Sequence, residues 1–432
     1  VALVALVALV VAGVVAGPGL IAGAGPDRTV AAASLPPGGG VASPQPSASP
    51  APSPSPAASP SPSPARPSPP ARRPLRSVGD PRLQAMIARW AKAAGVPGLS
   101  AAVVYPDGRL WVGTVGVADA ATDEPVTPDT AFALASITKT FTAAVVLQLV
   151  DEGVLSLDDR AADLLPEGGF HPAMTLRDLL DHTSGLNDYF RETGIEPALN
   201  ADLHRVWTPE EILAEFGMTH RVPPGTFWRY SNTGYLYLGL IAERATGTPW
   251  DRLVRDRLLD PLDLDHAFVQ GSESPRGPLA EGHRGTPGAH RVLGGDDPLS
   301  PFTSVVTAAG PAGAIAGTAE DAARWAAALY GGQVLSRATL TAAIADVDRT
   351  AVHFPRVPYG LGVQVIPIGK QVTWGHSGTF TGFRGHVRWL PDRRIAVALL
   401  TNQSRVDPAP LMRKLLEYVA VTEPIPGCQT CD

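Results

Sequence analysis

The chain has 432 residues, a formal net charge of −6 and 18% charged residues. That length supports one large catalytic domain with its own core, and the mild, mixed charge gives no electrostatic footing for nucleic-acid binding. The two cysteines, Cys428 and Cys431, form a lone C-x-x-C at the extreme C-terminus, and no H-E-x-x-H or other metal-spaced cluster occurs among the ten histidines. A structural zinc needs about four ligands, so no metal and no cofactor are expected, and the pair reads as a tail disulfide or free thiols.

Residues 1–25 carry no charge and are almost entirely Val, Ala, Leu and Gly, broken at Pro18. The segment fits a secretory signal core, with Ala31-Ala32-Ala33-Ser34 as a small-residue cleavage site, and equally a short membrane anchor. Either reading exports the protein, so an extracellular or cell-surface location is expected, with a membrane tether if the segment is kept. Residues 26–78 form a linker; its stretch 36–74 holds fifteen of the 44 prolines, interleaved with Ser and Ala and without an aromatic residue. Such a segment cannot bury a core and is expected to stay extended, reaching on the order of 100 Å.

A catalytic domain is expected over 79–422, followed by a tail at 423–432. Residues 81–95 read as a helix. Residues 99–105 and 110–117 read as strands joined across the turn sequence Pro106-Asp107-Gly108. The middle is helical, and Thr175-x-x-Asp178, Thr208-Pro209-x-Glu211 and Thr318-x-x-Asp321 each match a capping box. Residues 271–300, rich in Gly, Pro and Asp, are expected to form a surface loop rimming the pocket. Strands return at 361–366, 371–376, 383–390 and 395–401, the last two linked through Pro391-Asp392-Arg393-Arg394, before a closing helix over 408–421. The fold class predicted is α/β of the α+β type: an antiparallel sheet built from both chain ends, with a helical subdomain inserted between them.

Three motifs carry the chemistry. Ser136-Ile137-Thr138-Lys139 opens an apolar, helix-prone run, and its spacing puts the hydroxyl and the amine one turn apart on a helix face. The chain has only four lysines, so a Lys at this position is less easily chance. A serine hydroxyl needs a neighbour to take its proton, and a desolvated lysine can do so or can assist a second base. A serine near a helix N-terminus also gains from the helix dipole and the free N–H groups. Tyr230-Ser231-Asn232 and His376-Ser377-Gly378 follow in order. His182-Thr183-Ser184-Gly185 and Gly375-His376-Ser377-Gly378 both lack the G-x-S-x-G elbow of a hydrolase triad.

Together these motifs resemble the serine β-lactamase and penicillin-binding-protein superfamily. The usual S-D-N is replaced by Tyr230-Ser231-Asn232, and the usual K-T-G by His376-Ser377-Gly378. Both departures are similar to the branch of class C β-lactamases, D-alanyl-D-alanine carboxypeptidases and derived esterases. So are the segment from Pro224 to Tyr235 and the run from Leu179 to Leu186, and the likeness spans roughly 80–420. The resemblance implies a β-lactamase/transpeptidase-like fold and an acyl-enzyme on Ser136. It implies that Tyr230 takes the serine proton while Lys139 tunes it, and that Asn232 orients Lys139 and holds the substrate amide. It further implies a substrate-binding strand at His376, Ser377 and Gly378, with the Thr379 N–H completing an oxyanion hole. His376 stands where many relatives carry Lys and anchors a carboxylate less firmly, which weakens the case for an efficient β-lactamase.

The expected function is therefore an exported serine hydrolase, a D-alanyl-D-alanine carboxypeptidase acting on cell-wall peptides. A class C-like β-lactamase, an esterase or a D-amino-acid peptidase are the rivals within the fold. A surface-tethered, non-catalytic penicillin-binding receptor is the rival outside catalysis. The expected partner is a small-molecule or peptide substrate.

Overall fold

Turn chemistry and apolar runs at both ends of the chain build one sheet. The structure is a computed structural model that describes residues 75–217, 222–283, 302–346, 358–369 and 371–423, all within the unit Pro67–Asp432. The expected export segment, the linker up to residue 74, Cys428, Cys431 and residues 284–300 of the expected rim loop lie outside the described residues.

The strands are β1 (Arg76–Ser77), β2 (Gly98–Val104), β3 (Arg109–Asp119), β4 (Glu124–Pro125), β5 (Phe132–Ala133), β6 (Phe268–Val269), β7 (Ile315–Gly317), β8 (Gln364–Ile368), β9 (Gln371–Phe380), β10 (Phe383–Leu390) and β11 (Ile395–Thr401). The main sheet runs β1-β3-β2-β11-β10-β9-β8, with β4 on β3, while β5-β7-β6 form a small second sheet. The junction of the two chain ends is the antiparallel pair β2–β11, in which Ala102 faces Ala398. Only β1 pairs in parallel among these strands, Arg76 opposite Arg109, and it precedes the expected domain start at residue 79. The predicted mixed α/β fold, with a sheet drawn from both ends and helices inserted, is the fold observed.

The helices are α1 (Pro81–Ala94), α2 (Thr138–Asp151), α3 (Ala161–Leu164), α4 (Leu176–Leu180), α5 (Ile195–Ala201), α6 (Pro209–Phe216), α7 (Asn232–Thr246), α8 (Trp250–Val254), α9 (Thr303–Ala309), α10 (Ala319–Tyr330), α11 (Arg337–Ala345) and α12 (Ala409–Thr422). Asp80 caps α1 by accepting from the N–H groups of Arg82 and Leu83, and Gly95 ends it at φ 63°. All three predicted capping boxes form, at α4, α6 and α10. Each satisfies end-of-helix N–H groups that would otherwise lack partners.

The two largest departures from the expected strand limits are in β8 and β9. β8 starts at Gln364, not 361, because the chain is still turning: the Gly360 N–H donates to Val363 O at 2.8 Å and Gly362 sits at φ 74°. β9 runs past His376 to Phe380, because β10 continues to pair with it through Phe383. Ser and Gly are weak strand formers, and tertiary pairing overrides that preference.

Apolar side chains fill both faces of the sheet. One face packs on α1 and α12 through residues such as Leu83, Ile87, Leu411 and Leu415. The other packs on the helical insertion, with α2, α7 and α10 inside it. Helix α2 is enclosed on all sides, since every residue from Thr138 to Leu149 is buried. Its polar members are matched. Thr140 accepts from Trp325 Nε1 at 2.7 Å, Thr142 accepts from Trp250 Nε1 at 3.1 Å and donates to Pro311 O at 2.7 Å. A helix held this way gives the groups at its N-terminus fixed positions.

Candidate active site

Ser136 stands at the front of α2, in a 3-10 turn over Ala135–Ile137. It is the one residue from 131 to 149 that is not buried. Two features aim it outward. Ala135 adopts φ 49°, the left-handed region that costs a residue with a Cβ of order 1 kcal/mol or more. Thr138 Oγ1 accepts the N–H of Ile315 at 3.0 Å and ties the turn to β7.

Lys139 lies one turn on, wholly buried. Its Nζ is 3.2 Å from Ser136 Oγ, 2.6 Å from Asn232 Oδ1 and 2.7 Å from Ala312 O. The last two are acceptors only, so a neutral amine would spend its two N–H bonds there and turn its lone pair to the serine. Burial drives the Lys139 pKa down to about 7, partly opposed by the carboxylate of Asp188. Asp188 is itself buried, and its Oδ1 accepts from Asn232 Nδ2 at 3.0 Å, which fixes the amide with its oxygen toward Lys139.

The loop from His182 to Asp188 is the template for the second motif. The Gly225 N–H donates to Thr183 O, the Arg229 N–H to His182 O, and the Ser231 N–H to His182 Nδ1, at 2.8, 2.9 and 3.3 Å. Ser231 Oγ donates to Asn187 O at 2.8 Å. His182, at φ 66°, therefore carries its ring proton on Nε2 and lies 4.3 Å from the Tyr230 ring, centroid to centroid. The Tyr230 ring also lies 5.1 Å from Lys139 Nζ, within cation–π range. Its hydroxyl is buried without a hydrogen bond of normal geometry. Burial pushes the Tyr230 pKa well up; the Ser136 hydroxyl works in the opposite direction, and Asp188 adds to the rise.

His376 is placed differently from the expected carboxylate anchor. It is 1% exposed, and both ring nitrogens are engaged: Nδ1–H donates to Ser377 O at 2.6 Å and Nε2 accepts from Tyr359 Oη at 2.9 Å. Burial, then the charge of Lys139, lowers its pKa to about 3. A neutral imidazole committed to two internal bonds offers a ligand neither charge nor a free nitrogen.

Gly378 has a steric reason. A Cβ there would meet Leu134 O at 2.1 Å and Ala135 Cβ at 3.3 Å, so the strand lies directly against the turn that carries Ser136. Ser377 is half-buried and Thr379 exposed. β8 pairs only with residues 371–375 of β9, so among the described residues no strand covers the edge from 376 to 380. An extended peptide could add to that edge beside the serine.

The structure thus brings Ser136, Lys139, Asn232 and Tyr230 together, and lays Gly378 against the serine turn. Asp188, the Ala312 carbonyl and Tyr359 join them without having been singled out in the sequence. Asp188 follows the His182–Leu186 run by two residues, the nearest thing to a signal. Among the described residues no cluster suited to a metal occurs. A cleft of about 600 Å³ lined by Leu165, Leu213, Tyr237, Leu240 and Glu243 shares no residue with this constellation, and its lining carries no nucleophile beside a base.

A mixed α/β sheet with a hydroxyl, a half-neutral amine and a carboxamide at the head of a buried helix defines a serine hydrolase of the β-lactamase and penicillin-binding-protein type. The comparisons agree. The family model described as Beta-lactamase matches residues 83–420, and the chain belongs to that family. It is similar to Penicillin-binding protein 4 of Amycolatopsis lactamdurans, 34% identical over 330 residues covering 71% of this chain and 81% of that one. It is also similar to Esterase EstB of Burkholderia gladioli, 30% identical over 357 residues covering 74% and 90%. A crystal structure of a D-stereospecific amidohydrolase from Streptomyces sp. matches with a TM-score of 0.66 at 28% identity, covering 77% of this chain and 98% of that one.

Proposed function

We propose that this protein is an exported D-alanyl-D-alanine carboxypeptidase working through an acyl-enzyme on Ser136. The observation that carries the reading is the contact between Ser136 Oγ and an amine whose pKa is held near 7. In the neutral form Lys139 accepts the Ser136 proton while Oγ attacks the carbonyl carbon of the penultimate residue. The resemblance gave the first proton to Tyr230, but burial keeps that phenol protonated. Tyr230 is therefore the relay, passing a proton from Lys139 to the departing amine as the C–N bond breaks. The oxyanion is met by the Ser136 and Thr379 N–H groups. Water then attacks the acyl ester and gives up a proton to Lys139 Nζ, which returns one to Ser136 Oγ as the ester C–O bond breaks, freeing the acid product and the Ser136 hydroxyl.

Substrate class rests on the strand edge, the relatives and the N-terminal segments. The open edge of β9 suits an extended peptide, and relatives include a penicillin-binding protein and a D-stereospecific amidohydrolase. Export and a wall-spanning linker, read from residues 1–78, suit a cell-wall substrate. The neutral, enclosed His376 and the likeness to an esterase favour a second reading, hydrolysis of uncharged esters. Turnover of an N-acyl-D-Ala-D-Ala peptide, a short-chain aryl ester and a chromogenic cephalosporin, measured side by side on residues 75–432, separates the readings. The peptide is expected to give the highest kcat/KM. Preference for the ester by an order of magnitude or more would replace the peptidase reading with the esterase one.

A further inference from the structure

His376 leaves the third motif without a cation, yet a positive charge lies buried directly behind it. Side chains opposite each other on paired strands share a face. The β9–β10 register sets Gly375 against Arg388, Ser377 against His386 and Thr379 against Arg384. Ser377 and Thr379 thus share a face with three basic side chains, while His376 and Gly378 turn to the opposite one. A carboxylate, Asp407, balances two of the three: it lies 3.2 Å from His386 Nε2 and 3.9 Å from Arg384 Nη1. Arg388 is 3% exposed and has no acidic partner among the described residues. Its Nη1 is buried without a hydrogen bond. A buried charge left uncompensated is costly and calls for a reason.

Its one side-chain bond among the described residues points to that reason. Arg388 Nη2 donates to Gln364 Oε1 at 2.8 Å. With Oε1 held by a cation, the Gln364 amide presents Nε2 to Ser377 Oγ, at 3.2 Å. Ser377 Oγ accepts that bond, and its own proton has only a longer contact of 3.4 Å, to the Gln364 Oε1 already taken by Arg388, so an anion at the strand edge can draw it outward. Ser377 and Gln364 are both partly exposed, and Ser377 lies on the uncovered edge of β9. The relay converts a buried charge into a directed donor for an anion.

We propose that Arg388 is the positioning residue for a substrate carboxylate, acting through Gln364 and Ser377. This rests on the reading above that the substrate ends in a free carboxylate, and it supplies the charge that His376 does not. The charge sits behind the strand and is never touched by substrate, so selectivity for the carboxylate, not the acyl-transfer step, depends on it.

The test compares an N-acyl-D-Ala-D-Ala peptide with its C-terminal amide, using wild type, Arg388→Met, Arg388→Lys and Gln364→Glu. Gln364→Glu pairs Arg388 internally and removes the donor to Ser377 without emptying the site. Arg388→Met and Gln364→Glu are each expected to raise KM for the free acid about tenfold or more, the scale of a charge-assisted hydrogen bond. kcat and the KM of the amide should stay near wild type, and Arg388→Lys should recover part of the loss. Equal changes on acid and amide, or none on either, overturn the proposal. If wild type cleaves an aryl ester but neither peptide, the carboxypeptidase reading falls. The relay is then judged by competitive inhibition of ester hydrolysis by the acid and the amide. Preferential inhibition by the acid that Arg388→Met abolishes upholds it; equal or absent inhibition overturns it.

Discussion

Replacing Gly378 with alanine perturbs the place where the substrate strand touches the nucleophile turn. The new Cβ would lie 2.1 Å from Leu134 O and 3.1 Å from Leu134 C. Carbon–oxygen contacts settle at about 3.3–3.6 Å, so β9 and the Ser136 turn must part by roughly 1 Å or more. The atoms met first are backbone, and no side-chain rotation relieves the clash. A 1 Å misplacement of reacting groups costs about 10²-fold, and loss of one oxyanion donor about 10²–10³-fold. Overpacking adds about 1–3 kcal/mol of destabilisation. The expected result is a fall in the single-turnover acylation rate of about 10²–10³-fold with an aryl ester, in a protein that still melts cooperatively. Near wild-type acylation in Gly378→Ala would refute the claim that Gly378 sets the distance between strand and serine.

Two further substitutions probe the proton path. Tyr230→Phe removes a hydroxyl that makes no normal hydrogen bond, so stability should hold while kcat falls by about 10²–10⁴-fold; an unchanged kcat removes the relay. Asp188→Asn takes away the carboxylate that raises the Lys139 pKa, so the rising limb of the pH–rate profile should shift below its wild-type midpoint near 7, with a lower plateau from the loosened Asn232. A limb that stays put or moves up would show that Asp188 does not act on the amine.

What the sequence made legible was local. The three capping boxes at Thr175, Thr208 and Thr318 depend on contacts three residues apart, and all of them form. Ser136 and Lys139 could be paired because one helical turn separates them. Asn232 could join them only through family likeness, since it lies 93 positions beyond Lys139. The rest depended on folding. Ala312 contributes a backbone carbonyl from 173 residues away, which no side-chain pattern announces. Asp188 belongs to the site because the loop after His182 runs against residues 225–232. His376 has the spacing of a ligand-facing residue, yet strand alternation and Tyr359 turn it into the interior. The buried charge of Arg388 carries no sequence signal, because nothing local separates a buried arginine on a strand from an exposed one.

The most direct measurement is the rate at which Ser136 becomes acylated as a function of pH, followed by intact-mass spectrometry with a β-lactam or fluorophosphonate. Lys139 must be neutral to take the proton, and its pKa is lowered from 10.5 to about 7. The rate should therefore climb as pH rises through about 7 and fade below it. One adduct should form, on Ser136, and none in Ser136→Ala. An adduct elsewhere, labelling that persists in Ser136→Ala, or a rate flat across neutrality would contradict the account.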